Sequence, residues 1–209
     1  TMPALAAARA IGIPVWSEIE LAWRFLRGRL ICITGSNGKT TTTALTGHIL
    51  ETAGLPVQVA GNIGTPLISR VDVSSDSGFT VVEASSFQLE SIVAFRPDVA
   101  MLLNLTPDHL DRHGSFEAYA RAKARVFENQ TAEDAAVLNA DDAMAPQYAP
   151  SNAEVFWFSR QKRIAQGCFV RDDEIVFRRD GTETVLLRRR DVGLRGNHNL
   201  ENVLAAAAA

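Results

Sequence analysis

The sequence predicts an α/β fold: a mainly parallel sheet with flanking helices, extended by a small antiparallel β meander. From Arg29 onward, apolar strand-like runs alternate with helix-like runs, which is typical of a parallel sheet covered on both faces. A glycine-rich turn lies between the first strand and the first helix of this series. Later, Asp172-Asp173 and Asp180-Gly181 separate three short apolar runs, and Asp-Gly between strands favours a hairpin.

The first 28 residues differ from this alternating pattern. Residues 3–10 predict a helix with Pro3 in its first turn. Ser17 can cap a second helix, with Glu20 three residues later as its capping-box partner. We therefore expect residues 1–28 to be the tail of a preceding domain with a connector, and residues 29–209 to form one α/β domain. Both ends of the sequence appear cut, which predicts a piece of a longer protein.

The elements of the α/β domain follow from the apolar periodicity. Strands are predicted at residues 30–34, 57–60, 79–83, 99–104, 136–139 and 154–158. Helices are predicted at residues 39–52, 87–95 and 116–128, and a last helix begins at about Gly196. The meander strands are predicted at residues 168–171, 174–178 and 183–188. In such folds ligands bind at the carboxyl ends of the parallel strands.

The composition narrows the classes of function. The 209 residues are 46% hydrophobic and carry a net charge of −3, so no general electrostatic attraction to nucleic acid is expected. No apolar run reaches transmembrane length, and no signal peptide is visible. The two cysteines make no disulfide framework, and Cys32 lies in an apolar run as a small core residue. We expect a cytoplasmic protein with no membrane partner.

The glycine-rich turn carries the strongest chemical signal. Ile33-Thr-Gly-Ser-Asn-Gly-Lys-Thr-Thr41 lies between a predicted strand and a predicted helix, which is the context of a phosphate-binding loop. Glycines let backbone N–H groups turn toward phosphate oxygens, Lys39 can reach the β- and γ-phosphates, and the Thr40 hydroxyl can bind Mg²⁺. The loop departs from the general G-x-x-x-x-G-K-[ST] pattern because Ile33 occupies the first glycine position. An ordinary strand–helix turn is the alternative.

Three further polar residues are candidates for the same chemistry. Glu83 ends a predicted strand, where it can hold Mg²⁺ against a nucleotide or form a surface ion pair. His109 follows another strand and lies beside Asp108 and Asp111; it can bind a second metal or only hydrogen-bond within its loop. Lys123 lies on or beside the apolar stripe of a helix, either as a snorkelling lysine or as a desolvated one that can be chemically modified.

Six short motifs follow one another along the chain. They are Thr34-Gly-Ser-Asn-Gly-Lys-Thr-Thr41, Gly61-Asn-Ile-Gly64, Glu83-Ala-Ser-Ser-Phe-Gln-Leu-Glu90, Asn104-Leu-Thr-Pro-Asp-His-Leu-Asp111, Arg121-Ala-Lys-Ala-Arg125 and His198-Asn-Leu-Glu-Asn202. In this order they resemble the motifs of the Mur ligases, which build the peptide stem of bacterial peptidoglycan. The second and third motifs are most similar to the member that joins D-glutamate to UDP-N-acetylmuramoyl-L-alanine.

The resemblance implies a fold and a division into domains. Residues 1–28 resemble the end of a UDP-binding domain. Residues 29–209 resemble a central ATP-binding domain without its last helical segment. The resemblance also implies that the C-terminal ligase domain of the family is absent from this sequence. The implied partners are ATP, UDP-N-acetylmuramoyl-L-alanine and D-glutamate. The protein itself is expected to be a monomer. The implied reaction is ATP-dependent amide formation through an acyl phosphate.

The resemblance also implies roles for individual residues. The phosphates of ATP would lie against Gly35, Ser36, Asn37, Gly38, Lys39, Thr40 and Thr41. The adenine would lie near Asn199 and Asn202. The UDP-sugar substrate would face Asn62, Ser85, Gln88 and His109. Two Mg²⁺ ions would bind to Thr40, Glu83, His109 and a CO₂-derived carbamate on Lys123. The catalytic group would comprise Lys39, Glu83, His109 and Lys123.

Two alternatives stay open. Another enzyme of the same superfamily, such as folylpolyglutamate synthase or the ligase that adds the third stem residue, would share the phosphate loop but differ around residues 83–90. A nucleotide-dependent switch that binds without ligating would need neither a modified Lys123 nor a sugar-facing Asn62.

Overall fold

A computed structural model describes residues 3–62 and 64–209. The first two residues of the expected connector, and Ile63 of the Gly61-Asn-Ile-Gly64 motif, lie outside the described residues. Nine strands of the described chain form one sheet: β1 Arg29–Thr34, β2 Val57–Gly61, β3 Phe79–Glu83, β4 Val99–Leu102, β5 Ala135–Asn139, β6 Glu154–Ser159, β7 Gly167–Arg171, β8 Glu174–Arg179 and β9 Thr182–Arg188.

The helices in the described residues are α1 Pro3–Ala10, α2 Glu18–Trp23, α3 Lys39–Thr52, α4 Ser86–Leu89, α5 Leu110–His113, α6 Phe116–Ala124 and α7 Asn197–Ala207. Short 3₁₀ turns lie at Leu67–Arg70, Arg125–Phe127, Ala145–Tyr148 and Arg189–Asp191. Every predicted strand is present, although β4 ends two residues earlier than predicted. The predicted helix at 116–128 is divided into α6 and a 3₁₀ turn.

The strand order of the sheet is β2-β3-β1-β4-β5-β6-β7-β8-β9. All pairs from β2 to β7 are parallel, and β7, β8 and β9 pair antiparallel. The prediction of a parallel sheet with an antiparallel meander is confirmed, and the meander continues the same sheet. Because β1 lies between β3 and β4, the residues that follow these three strands meet at one edge, which positions the candidate site.

Both faces of the central strands are buried. Leu30 and Cys32 of β1 belong to one apolar cluster, whereas Ile31 and Ile33 belong to another on the opposite face. The first cluster includes Tyr119 and other residues of α2, α4 and α6, and the second includes residues of α7. This two-sided burial is what a parallel sheet between helical layers requires. Burial also raises the pKa of the Cys32 thiol, which is fully buried as predicted.

The helix predicted at residues 87–95 is wrong in its extent, because α4 ends at Leu89. The backbone groups that a longer helix would pair internally are taken by side chains from elsewhere. Arg125 donates to the carbonyls of Leu89 (3.0 Å) and Ile92 (2.8 Å). Glu20 accepts hydrogen bonds from the N–H groups of residues 93–95. These tertiary hydrogen bonds replace the helical ones, which sequence periodicity cannot foresee.

The capping-box role predicted for Glu20 is also wrong. Ser17 does cap α2, because its Oγ accepts a hydrogen bond from the Glu20 N–H at 3.4 Å. The Glu20 carboxylate does not return to Ser17; it is fully buried and pairs with Arg24 at 2.6 Å. Burial raises the pKa of Glu20, but the hydrogen bonds from Val93, Phe95 and the other donors outweigh it, so the net pKa is lowered.

Candidate active site

The phosphate loop joins β1 to α3 and depends on two glycines. Gly38 is the residue before α3 and has φ 84°, and Gly35 has φ 150°; both values favour glycine. A Cβ on Gly38 would collide with the Asn202 side chain, and a Cβ on Gly35 would lie 3.0 Å from the Cβ of Leu103. The backbone therefore turns tightly here, with the first N–H groups of a 14-residue helix at its end.

Asn104 fixes the conformation of this loop. Its Oδ1 accepts a hydrogen bond from the Asn37 N–H at 2.8 Å, and its Nδ2 donates to the Asn37 carbonyl at 3.0 Å. The Asn104 carbonyl accepts another from the Ser36 N–H at 3.0 Å. The sequence did not indicate this role, because the role depends on β4 lying beside β1. An asparagine at the end of the predicted strand 99–104 was the available signal.

The structure brings Lys39, Thr40, Asn62 and Glu83 to the same edge of the sheet. Lys39 Nζ donates to the carbonyls of Gly35 and Ser36, each at 3.0 Å. Thr40 Oγ1 donates to Glu83 Oε2 at 2.8 Å, and Asn62 Nδ2 lies 3.5 Å from Glu83 Oε1.

Glu83 is buried, with 2% of its surface exposed, although no lysine or arginine forms a salt bridge with it in the described part of the chain. Carboxylate and hydroxyl oxygens are the donors that Mg²⁺ prefers, so Thr40 and Glu83 fit this ion as a donor set. Within the described ranges, no three His, Cys, Asp or Glu side chains converge as a metal cluster.

Lys123 is buried on α6, with 2% of its surface exposed, so the snorkelling alternative is wrong. Its Nζ lies 4.9 Å from the centre of the Tyr119 ring. Burial lowers the pKa of Lys123 to about 7; the Lys39 charge adds to this effect, and Asp108 and Glu83 oppose it. The lowered pKa favours the neutral amine, which is the form that reacts with electrophiles.

His109 occupies a different setting. It has φ 50° and precedes α5, and its side chain is 49% exposed. Its Nε2 lies 3.5 Å from Asp108 Oδ2, and its ring is 5.0 Å from that of Phe87. No contact among the described residues joins His109 to Glu83. His109 thus lies at the rim of the site, whereas Glu83 and Lys123 are buried.

The remaining predicted residues are held by local hydrogen bonds. Ser85 and Gln88 form a capping box at α4, in which Gln88 Oε1 accepts from the Ser85 N–H at 3.0 Å. Asn202 Oδ1 accepts from Thr42 Oγ1 at 3.3 Å, and Asn202 Nδ2 donates to Asn199 Oδ1 at 3.3 Å. The buried Asn202 therefore lies beside the phosphate loop, and Thr41 lies in the first turn of α3.

A family model for the Mur ligase middle domain matches residues 33–209. This chain belongs to the Mur ligase family. A curated Mur ligase of Acidobacterium capsulatum, named UDP-N-acetylmuramoylalanine–D-glutamate ligase, is 53% identical over 99% of the chain and 46% of its own length. A relative of the same name from Koribacter versatilis is 54% identical over 98% of the chain and 45% of its length. The chain thus spans less than half the length of these curated Mur ligases.

Solved structures of Mur ligases have the same fold. A UDP-N-acetylmuramoyl-L-alanyl-D-glutamate–2,6-diaminopimelate ligase is 26% identical, with a TM-score of 0.68 over 95% of this chain and 44% of its own. The MurF ligase of Thermotoga maritima, solved in complex with ADP, is 22% identical with a TM-score of 0.67 over 90% of this chain and 47% of its own. The predicted family and fold class are confirmed. In the described residues, no helix is long and apolar enough to cross a membrane.

Proposed function

We propose that this chain is the ATP-binding part of a ligase that joins D-glutamate to UDP-N-acetylmuramoyl-L-alanine in peptidoglycan precursor synthesis. The observation that carries the proposal is the identity of about half of all residues, across 99% of the chain, with a relative of that name. The glycine loop next to the Thr40–Glu83 pair supports it, because a nucleotide triphosphate needs both a backbone cradle and oxygen donors for its metal.

In this proposal the phosphate loop binds ATP through the backbone from Gly35 to Thr41. Lys39 supplies positive charge to the β- and γ-phosphates, which carry most of the charge that develops during transfer. Thr40 and Glu83 would hold Mg²⁺, which neutralises phosphate charge when bound. Asn199 and Asn202, on the other side of the loop, are proposed to support the adenine end.

The proposed reaction has two steps that conserve atoms and charge. A carboxylate oxygen of the substrate's alanyl group attacks the γ-phosphorus, and the bond to ADP breaks, leaving an acyl phosphate. The amino group of D-glutamate then attacks the acyl carbon, inorganic phosphate departs with the bonding electrons, and the nitrogen loses a proton. Lys39 assists the first step by reducing the repulsion between two anionic reactants.

Lys123 is proposed to act as a carbamate. The neutral amine favoured by its lowered pKa adds to CO₂, an N–C bond forms and the nitrogen loses a proton, which converts a buried neutral amine into a carbamate anion. With Glu83 and His109 this anion would contribute to a second Mg²⁺ site. A bare ammonium would be repelled there. Asn62, Ser85, Gln88 and His109 are proposed to face the UDP-sugar.

The proposed domain division places residues 1–28 in a UDP-binding domain and connector, and residues 29–209 in the central domain, of a monomer. The 3₁₀ turn Leu67–Arg70 packs on α2, and the Ile68 N–H donates to Glu18 at 2.6 Å. Such contacts would fix the direction in which a preceding domain leaves the central one.

The test uses a full-length protein that carries this chain. Phosphate release from ATP should require both UDP-N-acetylmuramoyl-L-alanine and D-glutamate, with L-glutamate as the matched control. Release with a folate and glutamate, or with a substrate that already carries D-glutamate, would assign the protein to another ligase of the superfamily. Tight ATP binding with no amide product for any acceptor would favour the nucleotide switch.

A further inference from the structure

We propose that Tyr119 is a positioning residue that couples the phosphate loop to Lys123. The inference rests on the proposed function, because it concerns how two parts of that site are held together. Tyr119 is 1% exposed, contacts no substrate in the proposed reaction, and belongs to none of the roles assigned above. It nevertheless contacts both Ser36 of the loop and Lys123 of α6.

The hydroxyl of Tyr119 reaches the phosphate loop. Its oxygen lies 3.0 Å from Ser36 Oγ. Ser36 Oγ also accepts from the Thr106 N–H and donates to the Thr106 carbonyl, each at 3.0 Å. Because a serine hydroxyl has a single proton, Tyr119 is the natural donor in its pair with Ser36. Tyr119 thus adds a hydrogen bond to Ser36, which the backbone of Thr106, in the segment after β4, also holds.

The ring of Tyr119 packs on Lys123, one helical turn further along α6. Lys123 Nζ lies 4.9 Å from the ring centre, and residues four apart share one face of a helix. Both side chains are buried, so the ring limits the directions that the Lys123 side chain can take. The end of that side chain is the part of Lys123 that the proposed chemistry modifies.

A buried histidine holds the ring from another side. The His113 and Tyr119 ring centres are 5.3 Å apart, with an angle of 68° between the planes. His113 is itself fixed, because its Nε2 is 3.0 Å from Ser86 Oγ and its Nδ1 is 3.1 Å from Glu90. The fixed His113 side chain therefore restricts the orientation of the Tyr119 ring. Tyr119 thus contacts the phosphate loop through its hydroxyl and Lys123 through its ring.

The first experiment measures ATP binding to the 209-residue chain by calorimetry with Mg²⁺. Tyr119→Phe removes one hydroxyl and should weaken binding by roughly two- to tenfold, the range expected for one hydrogen bond. Tyr148→Phe, at the other tyrosine, is the matched control and should bind as the wild type does. In a double-mutant cycle, adding Ser36→Ala to Tyr119→Phe should cost less than the sum of the two separate losses.

The second experiment observes Lys123 directly. The ¹³C NMR signal of a lysine carbamate is recorded after adding ¹³C-labelled bicarbonate, with Lys123→Met to assign the signal. Tyr119→Phe keeps the ring and should keep this signal. Tyr119→Leu removes the ring and should reduce the signal by at least half at the same pH and bicarbonate concentration. Should Tyr119→Leu fail to fold, the calorimetry of Tyr119→Phe still tests the hydroxyl.

Two results would overturn the inference. One is equal ATP affinity in Tyr119→Phe and the wild type; the other is strict additivity with Ser36→Ala. Failure of the proposed function gives a different pattern. A wild-type chain that binds no ATP and shows no carbamate signal would reject both proposals together. A wild-type chain that binds ATP but belongs to a ligase of another specificity would reject the proposed function alone, and the Tyr119 variants would still test the inference.

Discussion

At the scale of single residues, Lys123 shows that the candidate site is held at a cost in stability. Its ammonium is buried, and its pKa is lowered to about 7. The unfolded chain therefore binds more protons than the folded chain between this pKa and the ordinary lysine value of about 10.4. Stability should rise with pH across that interval, and the full cost of burying the charge should be present below pH 7.

Lys123→Met should therefore stabilise the chain. Methionine keeps most of the side-chain volume and removes the charge, so the gain near pH 6 is expected to be on the order of 3 kcal/mol. The gain should shrink as the pH rises from about 7 toward about 10.4, above which lysine is mostly neutral in both states. Urea unfolding in CO₂-free buffer at several pH values measures it. A constant difference between the two proteins across this pH range would contradict the burial of a charged amine.

Lys39 should behave in the opposite way, with a large effect on binding and a small one on stability. Among the described residues its ammonium donates to two loop carbonyls, and it fills no position in the apolar core. Lys39→Ala should weaken ATP binding by about tenfold or more, because a charge-assisted contact to phosphate is lost. Its melting temperature without nucleotide should stay close to that of the wild type, whereas the increase caused by ATP should disappear. A folded variant with full ATP affinity would exclude the proposed role.

At the scale of elements, Glu20 attaches α2 to the segment that follows α4. One buried carboxylate accepts three backbone N–H groups and pairs with Arg24, as described above. Glu20→Gln keeps the side-chain shape but loses the charge. Its amide NH₂ group would face backbone N–H groups that now donate to a carboxylate oxygen. We expect a loss of about 2–4 kcal/mol in the free energy of unfolding at pH 7. Glu51→Gln, at an exposed position of α3, should change it by less than about 0.5 kcal/mol.

The pH dependence of this effect has a defined sign. The pKa of Glu20 is lowered in the folded state, so its contribution is complete above the unfolded pKa of about 4.3. It is lost as the pH falls through the lower folded pKa. The difference between the wild type and Glu20→Gln, measured by urea unfolding, should therefore decrease when the pH is taken from 7 to 3. A difference that is unchanged at pH 3 would show that the carboxylate charge does not contribute.

The elements also show what the sequence could predict. The strands, α3 and the meander follow from local patterns: alternation, a glycine turn before a helix, and Asp180-Gly181, whose φ angles of 51° and 77° form the expected tight turn. The extent of α4 does not follow from local patterns, because Glu20 and Arg125 contact the segment after it from distant parts of the chain. The placement of β1 between β3 and β4 does not follow from them either, and this placement brings Asn104 onto the phosphate loop.

The exposed edge of the sheet is protected against pairing with other chains. Six of the seven residues of β9 are exposed, and β9 carries Glu183 and Arg188 among threonines and aliphatic residues. Glu183 forms salt bridges with Arg178 of the adjacent β8 and with Arg171 of β7, one strand further in. Charged side chains on an edge strand disfavour its pairing with another sheet edge.

At the scale of the whole molecule, the site lies at the carboxyl ends of the central parallel strands and is open to solvent on its outer side. The loop, Glu83 and the rim residue His109 all follow strands at this edge, and the chain corresponds to less than half of each curated relative. A ligase must exclude water from an acyl phosphate and hold the incoming amine against it. The described residues supply the phosphate cradle, but no second layer covers it.

The 209-residue chain alone should therefore bind ATP with Mg²⁺ without forming the amide. Binding needs the loop, Lys39 and Glu83, which the described structure already brings together. Ligation also needs UDP-N-acetylmuramoyl-L-alanine and D-glutamate to be held together while water is excluded. An unprotected acyl phosphate would be hydrolysed before the amine reacts. Calorimetry should detect ATP binding, and mass spectrometry with both substrates should detect no product. A full-length protein carrying this chain is the positive control, and Lys39→Ala is the control for binding. Amide product from the chain alone would show that these residues are sufficient for ligation.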